Sequence, residues 1–254
     1  MKYEDNFQSE LDELLDAYNI SKVEILKHYL AFIQRRDMPR LLAHYEIFKL
    51  VQHLPGSICE IGVYYGSGLF TWAHFLESFC TGDRVRKVYG FDDFSGYSRF
   101  TKEDGISKQF IEDKNHALKS NSEFLIKLNN LHNSDNLLKG VERSVIIPGD
   151  IKETVPKFVN ENNGLRLCLL YLDANLYEPT KTAIEYLYPL VVPGGVVAFN
   201  GYGQTPWSGE SQAIEELFST FNYFPKLKRF SFSNIPSGYF LKTSNHTETE
   251  PVNA

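Results

Sequence analysis

From residue 57 onward, short runs of consecutive apolar residues alternate with stretches of helical periodicity, and this alternation constrains the fold more than any other feature. The runs are SICEI, KVYGF, SVIIP, LRLCLLYL and GGVVAF, beginning at Ser57, Lys87, Ser144, Leu165 and Gly194. A strand that is apolar on successive positions has both faces covered, as happens when helices flank a mainly parallel sheet. After a last helix near Ser208 to Phe221, KRFSFS and GYFLK flank NIPS and read as a hairpin, so one edge of the sheet is expected to be antiparallel. The 254 residues, 43% of them hydrophobic, suffice for one large α/β domain with an appendage.

The appendage comes first. Phe7, Leu11, Leu14, Leu15 and Tyr18 recur at helical spacing. Ser21 and Glu24 form a capping-box pattern with Ile20 and Ile25 placed as a staple across it, and the stripe Val23, Leu26, Leu30 and Ile33 follows. Pro39, a favoured first-turn residue, opens a third helix carrying Leu41, Leu42, Tyr45 and Phe48. Such helices either cap a pocket or join copies of the chain. Residues 1–54 are therefore read as a helical cap and 55–242 as the main domain, with a homodimer or higher homo-oligomer expected from the apolar stripes. Residues 99–141 break the strand–helix rhythm. Ser120 and Glu123 make another capping-box pattern there, ahead of Phe124, Leu125, Leu128 and Leu131, so the segment reads as a helical insertion, either a lid over the strand ends or surface decoration. The polar tail, 243–254, is expected to be disordered.

Composition excludes several classes. The net charge is −6 and no basic cluster appears, against the needs of a nucleic-acid binder. No apolar run approaches the ~20 residues that span a bilayer. The first residues, MKYEDNFQSELDELLDAY, are acidic and amphipathic, unlike a secretory signal. A cytoplasmic protein acting on small molecules, with neither membrane nor nucleic acid as partner, is the expectation. Cys59, Cys80 and Cys168 lack the spacing of a zinc site, and Cys59 and Cys168 lie in strand-like runs as core residues.

The first strand runs into CEIGVYYGSG, which contains Glu60, Gly62, Tyr64, Gly66 and Gly68. A strand that turns tightly into a helix needs glycines where backbone and ligand approach. A dinucleotide fingerprint would read GxGxxG, so the E-x-G-x-x-x-G-x-G spacing argues against a nicotinamide-dependent oxidoreductase. It resembles the glycine loop of class I S-adenosylmethionine-dependent methyltransferases. Asp92 and Asp93 end the second strand, where a carboxylate accepts both ribose hydroxyls of a nucleoside. Asp92 is the preferred candidate, and Asp93 also reads as a solvated loop residue. After the third strand come Gly149, Asp150 and Ile151: Asp150 either accepts from an adenine amino group, with Ile151 against the ring, or simply caps the next helix. Glu60 either orders the glycine loop or meets the cofactor's amino group.

Taken in order, PGSICEIGVYYGSG, FDDFSG, GDIKETVP, LDANLYEPT, LYPLVVPGG and WSGESQAIEELF resemble the macrocin O-methyltransferase (TylF-like) family over most of the chain. The resemblance implies an α/β, Rossmann-like class I methyltransferase fold: a mainly parallel seven-stranded sheet with an antiparallel edge hairpin and N-terminal helices. It also implies S-adenosylmethionine as cofactor and O-methylation of a small molecule or sugar in natural-product or surface-polysaccharide biosynthesis. Oligomeric state and a divalent cation belong to the same picture.

The family pattern has an acidic D-x-D-x-Y motif after the fourth strand and D-D-Y after the fifth, whose carboxylates hold Mg²⁺. Here the corresponding residues are Asp173-Ala174-Asn175-Leu176-Tyr177 and Asn200-Gly201-Tyr202. Mg²⁺ prefers hard anionic oxygens, and one carboxylate with amide carbonyls is a poor site. No bound metal is expected; Asp173 and Asn200 are the residues placed to hold one if it binds. Without a metal, an alcohol needs another route to lose its proton. Asp173 is the candidate base, with a hydrogen bond to the cofactor or a turn as its alternative role, and His116 in the insertion is the second candidate. Tyr177, Tyr202 and Trp207 are candidate walls of the acceptor pocket, with core packing the alternative for Tyr177. An N-methyltransferase and a homologue that binds the cofactor without turnover remain open at this level.

Overall fold

The computed structural model describes residues 4–97, 99–114, 119–222 and 224–243. Its centre is a six-stranded sheet built from β1 (Ser57–Ile61), β2 (Val88–Asp92), β3 (Ser144–Pro148), β4 (Leu167–Leu172), β5 (Val191–Phe199) and β6 (Gly238–Leu241), in the order β3-β2-β1-β4-β5-β6. β1 to β5 run parallel, and β6 pairs antiparallel with β5 at the edge. Every residue of β1 and β4 is buried, as their unbroken apolar runs require.

Helices α3 (Asp37–Val51) and α4 (Ser67–Phe79) cover one face, where Ile47, Phe48, Val51, Leu69, Trp72 and Leu76 pack on Ile58, Leu169 and Tyr171. The other face is covered by α7 (Ile151–Glu161), α8 (Tyr177–Leu187) and α9 (Ser208–Ser219), through Val155, Ala183, Leu187, Ile214 and Phe218 against Leu170, Leu172, Val197 and Phe199. Between β2 and β3 lie α5 (Ser107–Lys114) and α6 (Ser122–Asp135). Helix α6 packs beside β3, and the side-chain amides of Asn129 and Asn133 both donate to the Ser144 carbonyl.

Three details depart from the sequence reading. The sheet has six strands, not seven. KRFSFS contributes an isolated bridge between Lys228 and Tyr239, because Ser233 diverts the chain: its hydroxyl donates to the Ile235 carbonyl and accepts from the Ile235 amide. The helix placed after Ser120 and Glu123 is capped instead by Asn121, whose side chain accepts from the Phe124 amide, while the Ser120 hydroxyl donates to the Tyr64 carbonyl. On or just beyond α1 (Glu4–Ala17) and α2 (Lys22–Lys27), the stripe residues Val23, Leu26 and Leu30 are exposed together with Leu14 and Tyr18. Ser21 does cap α2, accepting from the Glu24 amide.

Leu170 at the middle of β4 is fully buried between two covering layers. Its truncation to Ala is expected to cost about 2–5 kcal/mol, read as a lower urea midpoint at unchanged slope.

Candidate active site

The order of strands reverses between β1 and β4, and an open parallel sheet leaves a crevice at its carboxyl ends at such a point. A cavity of about 700 Å³ lies there. The loop leaving β1 forms one wall with Gly62, Tyr64 and Gly68. Asp92 braces this loop: one carboxylate oxygen accepts from the Val63 and Tyr64 amides at 2.7 Å each, and the other from the Phe94 amide. A carboxylate has about four lone-pair positions, so these three donors leave one on Asp92, which lines the cavity. Asp93 lines it too, with one oxygen capping the Ser95 amide. Burial raises the Asp92 pKa, and the three amides work against that rise.

Glu60 lies beneath the loop, outside the cavity lining. It is 1% exposed, and its carboxylate accepts from Trp72 Nε1 at 2.8 Å. Gly68 sits directly on that carboxylate, and a Cβ there would collide with it. The E-x-G-x-x-x-G-x-G spacing thus records packing within the protein as much as room for a ligand, and of the two roles expected for Glu60 the structure brings out the ordering of the loop. Gly66, with φ at +84°, opens α4 and leans on the Phe70 ring rather than lining the cavity. Burial pushes the Glu60 carboxyl up to about 8, with Arg40 opposing the rise.

At the floor of the cavity stands Asp173, one residue past β4. Its amide donates to the Ile61 carbonyl, which ties the ends of the two central strands together. One carboxylate oxygen accepts from Arg40 of α3 at 2.9 Å and the other from Asn200 Nδ2 at 2.5 Å. Burial raises the Asp173 pKa, against the pull of Arg40 and the hydrogen bonds. Burial disfavours the Arg40 charge, yet Asp173 and its neighbours outweigh this and hold the guanidinium protonated. Arg40 escaped the sequence reading because its partner is distant in the chain and nothing local to the helix marks it.

The loops carrying Asn175 and Gly201 are held by Glu210, which is fully buried in the first turn of α9. It accepts from the Asn175 amide at 3.0 Å and the Gly201 amide at 2.6 Å, and burial pushes it up to about 8. Its signal in the sequence was an acidic residue opening the helix of WSGESQ, without any hint of what it would face. Asp104 does the same for the insertion: it accepts from the Thr101 and Tyr177 amides and so anchors the segment leading to α5 against α8.

The remaining candidates divide. Trp207 lines the cavity and packs against Tyr97, ring centroids 5.2 Å apart and the planes tilted by 35°; the Tyr97 hydroxyl accepts from Asn175 Nδ2. Tyr97 was not singled out from the sequence. Asp150 and Ile151 line the cavity; Asp150 caps α7 through the Lys152 amide and pairs with Arg99, while Gly149 stands behind them at φ +130°. Tyr177 and Tyr202 do not face the cavity. The Tyr177 ring belongs to the core with its hydroxyl on Glu216, and Tyr202 packs on Phe199 and Phe218 with its hydroxyl on Glu215, because residues alternating around each turn send these two rings toward α9. His116 lies outside the described residues.

A divalent cation does not fit this donor set. Among the described residues no group of three or more His, Cys, Asp or Glu is assembled for a metal. Each Asp173 oxygen already accepts one donor, and one of these donors is the positive Arg40 guanidinium. At position 201 a Cβ would stand 2.8 Å from Trp207 Cβ and 2.9 Å from Asn175 Oδ1, which leaves no space for a carboxylate side chain.

Known proteins resemble this chain in sequence and in fold. A family model described as macrocin O-methyltransferase (TylF) matches residues 30–221. An 8-demethyl-8-(2,3-dimethoxy-α-L-rhamnosyl)-tetracenomycin-C 4′-O-methyltransferase of Streptomyces olivaceus is 28% identical over 154 residues, 60% of this chain and 55% of its own length. The demethyldecarbamoylnovobiocin O-methyltransferase of Streptomyces niveus is 29% identical over 178 residues, 69% of this chain and 63% of its own. The chain therefore spans somewhat over half of the length of these two relatives. Among solved structures, the calicheamicin methyltransferase CalS11 superposes with a TM-score of 0.85 at 26% identity, covering 95% of this chain and 93% of that one. No described helix is long and apolar enough to cross a membrane.

The buried carboxyls have a consequence for stability. A group whose pKa is raised on folding contributes stability that is complete below its unfolded pKa and fades as pH rises through the folded value. Glu60 and Glu210 both shift from 4.5 up to about 8. Thermal stability is expected to fall between about pH 5 and 8, and Glu60→Gln should flatten that slope in a pH series of melting curves.

Proposed function

The chain belongs to the macrocin O-methyltransferase (TylF) family, and on that premise we propose that it transfers a methyl group from S-adenosylmethionine to a hydroxyl of a small-molecule sugar. The observation that carries this reading is the convergence of Gly62, Tyr64, Gly68, Asp92, Asp93, Asp150, Ile151 and Asp173 on one cavity. These groups fit the cofactor. The remaining lone pair of Asp92 and the Asp93 carboxylate suit two ribose hydroxyls, and Ile151 offers an apolar surface to an adenine ring beside Asp150. Bound there, S-adenosylmethionine supplies an electrophilic methyl group.

The protein's own groups then act on the acceptor. Asp173 takes the proton from the acceptor hydroxyl as its oxygen bonds to carbon, so the products are the methyl ether, the neutral thioether and a protonated carboxyl that returns its proton to water. Tyr97 and Trp207 wall off solvent and position the acceptor, and alignment with water excluded is the main catalytic lever for an in-line displacement. Support for a sugar acceptor comes from the relatives. The tetracenomycin enzyme bears a rhamnosyl substrate in its name, and a structure of CalS11 is described as a TDP-rhamnose 3′-O-methyltransferase, so a 6-deoxyhexose is the acceptor of choice. Exposed Leu14, Tyr18, Leu26 and Leu30, on or just beyond the first two helices, support self-association, which light scattering would register as a mass above that of one chain.

Calorimetry with S-adenosylhomocysteine tests the cofactor site: binding supports the reading, and none at millimolar ligand removes it. Asp93→Ala is expected to weaken binding about tenfold, close to 1.4 kcal/mol, at unchanged melting temperature. Asp92→Ala should lose both affinity and stability, since its carboxylate braces the loop. With nucleotide-linked and glycosidic rhamnose as acceptors, Asp173→Asn should lower kcat by about 10²-fold or more. Activity should rise with pH along an acid limb lying above the ordinary carboxylate range, because burial raises the Asp173 pKa.

A further inference from the structure

We propose that Arg40 is the resident cation of this site, its guanidinium holding Asp173 in place of a divalent metal, so that methyl transfer proceeds without one. The inference rests on the methyltransferase reading of the cavity and concerns how its base is held.

Four observations point the same way. The guanidinium Nη2 donates to Asp173 Oδ2 at 2.9 Å, and Asn200 Nδ2 donates to the opposite oxygen at 2.5 Å. Those are two donors on the carboxylate, where a metal centre would present acceptors to an ion. At the positions where the family pattern has further carboxylates, the chain offers neutral groups already committed elsewhere: the Asn175 amide donates to the Tyr97 hydroxyl, and Gly201 is pressed against Trp207 Cβ. The nearby carboxylate of Glu210 faces away, occupied by the Asn175 and Gly201 amides. Arg40 itself is no wandering surface residue. It stands in the first turn of α3, whose Ile47, Phe48 and Val51 are completely buried against the sheet. Its position is therefore set by the core, and its guanidinium already occupies Asp173 Oδ2, where a divalent ion would otherwise bind.

Arg40 is a positioning residue: its guanidinium on Oδ2 favours the ionised form of Asp173, whose carboxylate lines the cavity.

The test uses the full chain, stripped of metal with EDTA. The expected results are turnover unchanged within about twofold and no bound Mn²⁺ in electron paramagnetic resonance at millimolar Mn²⁺. Arg40→Ala should lower kcat by about 100-fold with S-adenosylhomocysteine affinity intact, and added guanidinium or Arg40→Lys should restore part of the loss. Arg40→Ala should also displace the acid limb of the pH profile upward, since Asp173 loses its neighbouring charge. Stoichiometric Mn²⁺ binding to the unmodified chain, activity lost to EDTA and regained with Mg²⁺, or an Arg40→Ala enzyme with wild-type kcat and pH profile would overturn the proposal. Failure to bind S-adenosylhomocysteine would instead overturn the methyltransferase reading, and the Mn²⁺ spectrum would still judge the role of Arg40.

Discussion

Ionisable groups gather at the carboxyl ends of the central strands, and the cost of taking their charges out of water governs the architecture around them. Burial opposes the charged form of Arg40, Glu60, Asp173 and Glu210 alike. Arg40 and Asp173 keep their charges by pairing with each other. Glu60 and Glu210, pushed up to about 8, are largely neutral at pH 7 and are satisfied by hydrogen bonds instead, Glu60 from Trp72 and Glu210 from backbone amides. The covering helix α3 must lie where it does for the Arg40–Asp173 pair to close, so the packing of one face and the chemistry of the cavity are a single problem.

The loops at the cavity rim follow the same logic in reverse. Irregular backbone near a buried site leaves amides that need acceptors. Asp92, Asp104 and Glu210 supply them to residues 63, 64, 94, 101, 175, 177 and 201. The insertion between β2 and β3 serves two ends accordingly. Its first part, stitched by Asp104 and by Ser107 to the Pro206 carbonyl, places Tyr97 beside Trp207. Its last helix is an ordinary crossover packed against β3.

Set against the family pattern, the residues at 175, 200 and 201 are engaged with their own neighbours. The Asn175 amide braces Tyr97, the Asn200 amide fastens Asp173, and the absence of a side chain at 201 lets Trp207 come close.

The sequence by itself determined the parallel sheet, its antiparallel edge and the glycine loop, because these depend on local periodicity and on close backbone approach, both written in contiguous residues. It also marked Asp92, Asp150 and Asp173, since strand ends in such a sheet are predictable places. It offered core packing as the alternative for Tyr177, and that is where the ring lies; it placed Tyr202 in the pocket wall, whereas that ring turns toward α9, since a one-residue rotation around a strand end decides which way a side chain faces. The seventh strand failed for a similar reason, with the Ser233 side chain competing locally for the backbone. Only the tertiary structure revealed Arg40 beside Asp173 and Glu210 beneath two loops. Those partners lie 133 and 35 residues apart in the chain, and pairing of buried charges is a property of the packed volume, with no periodic trace along the chain.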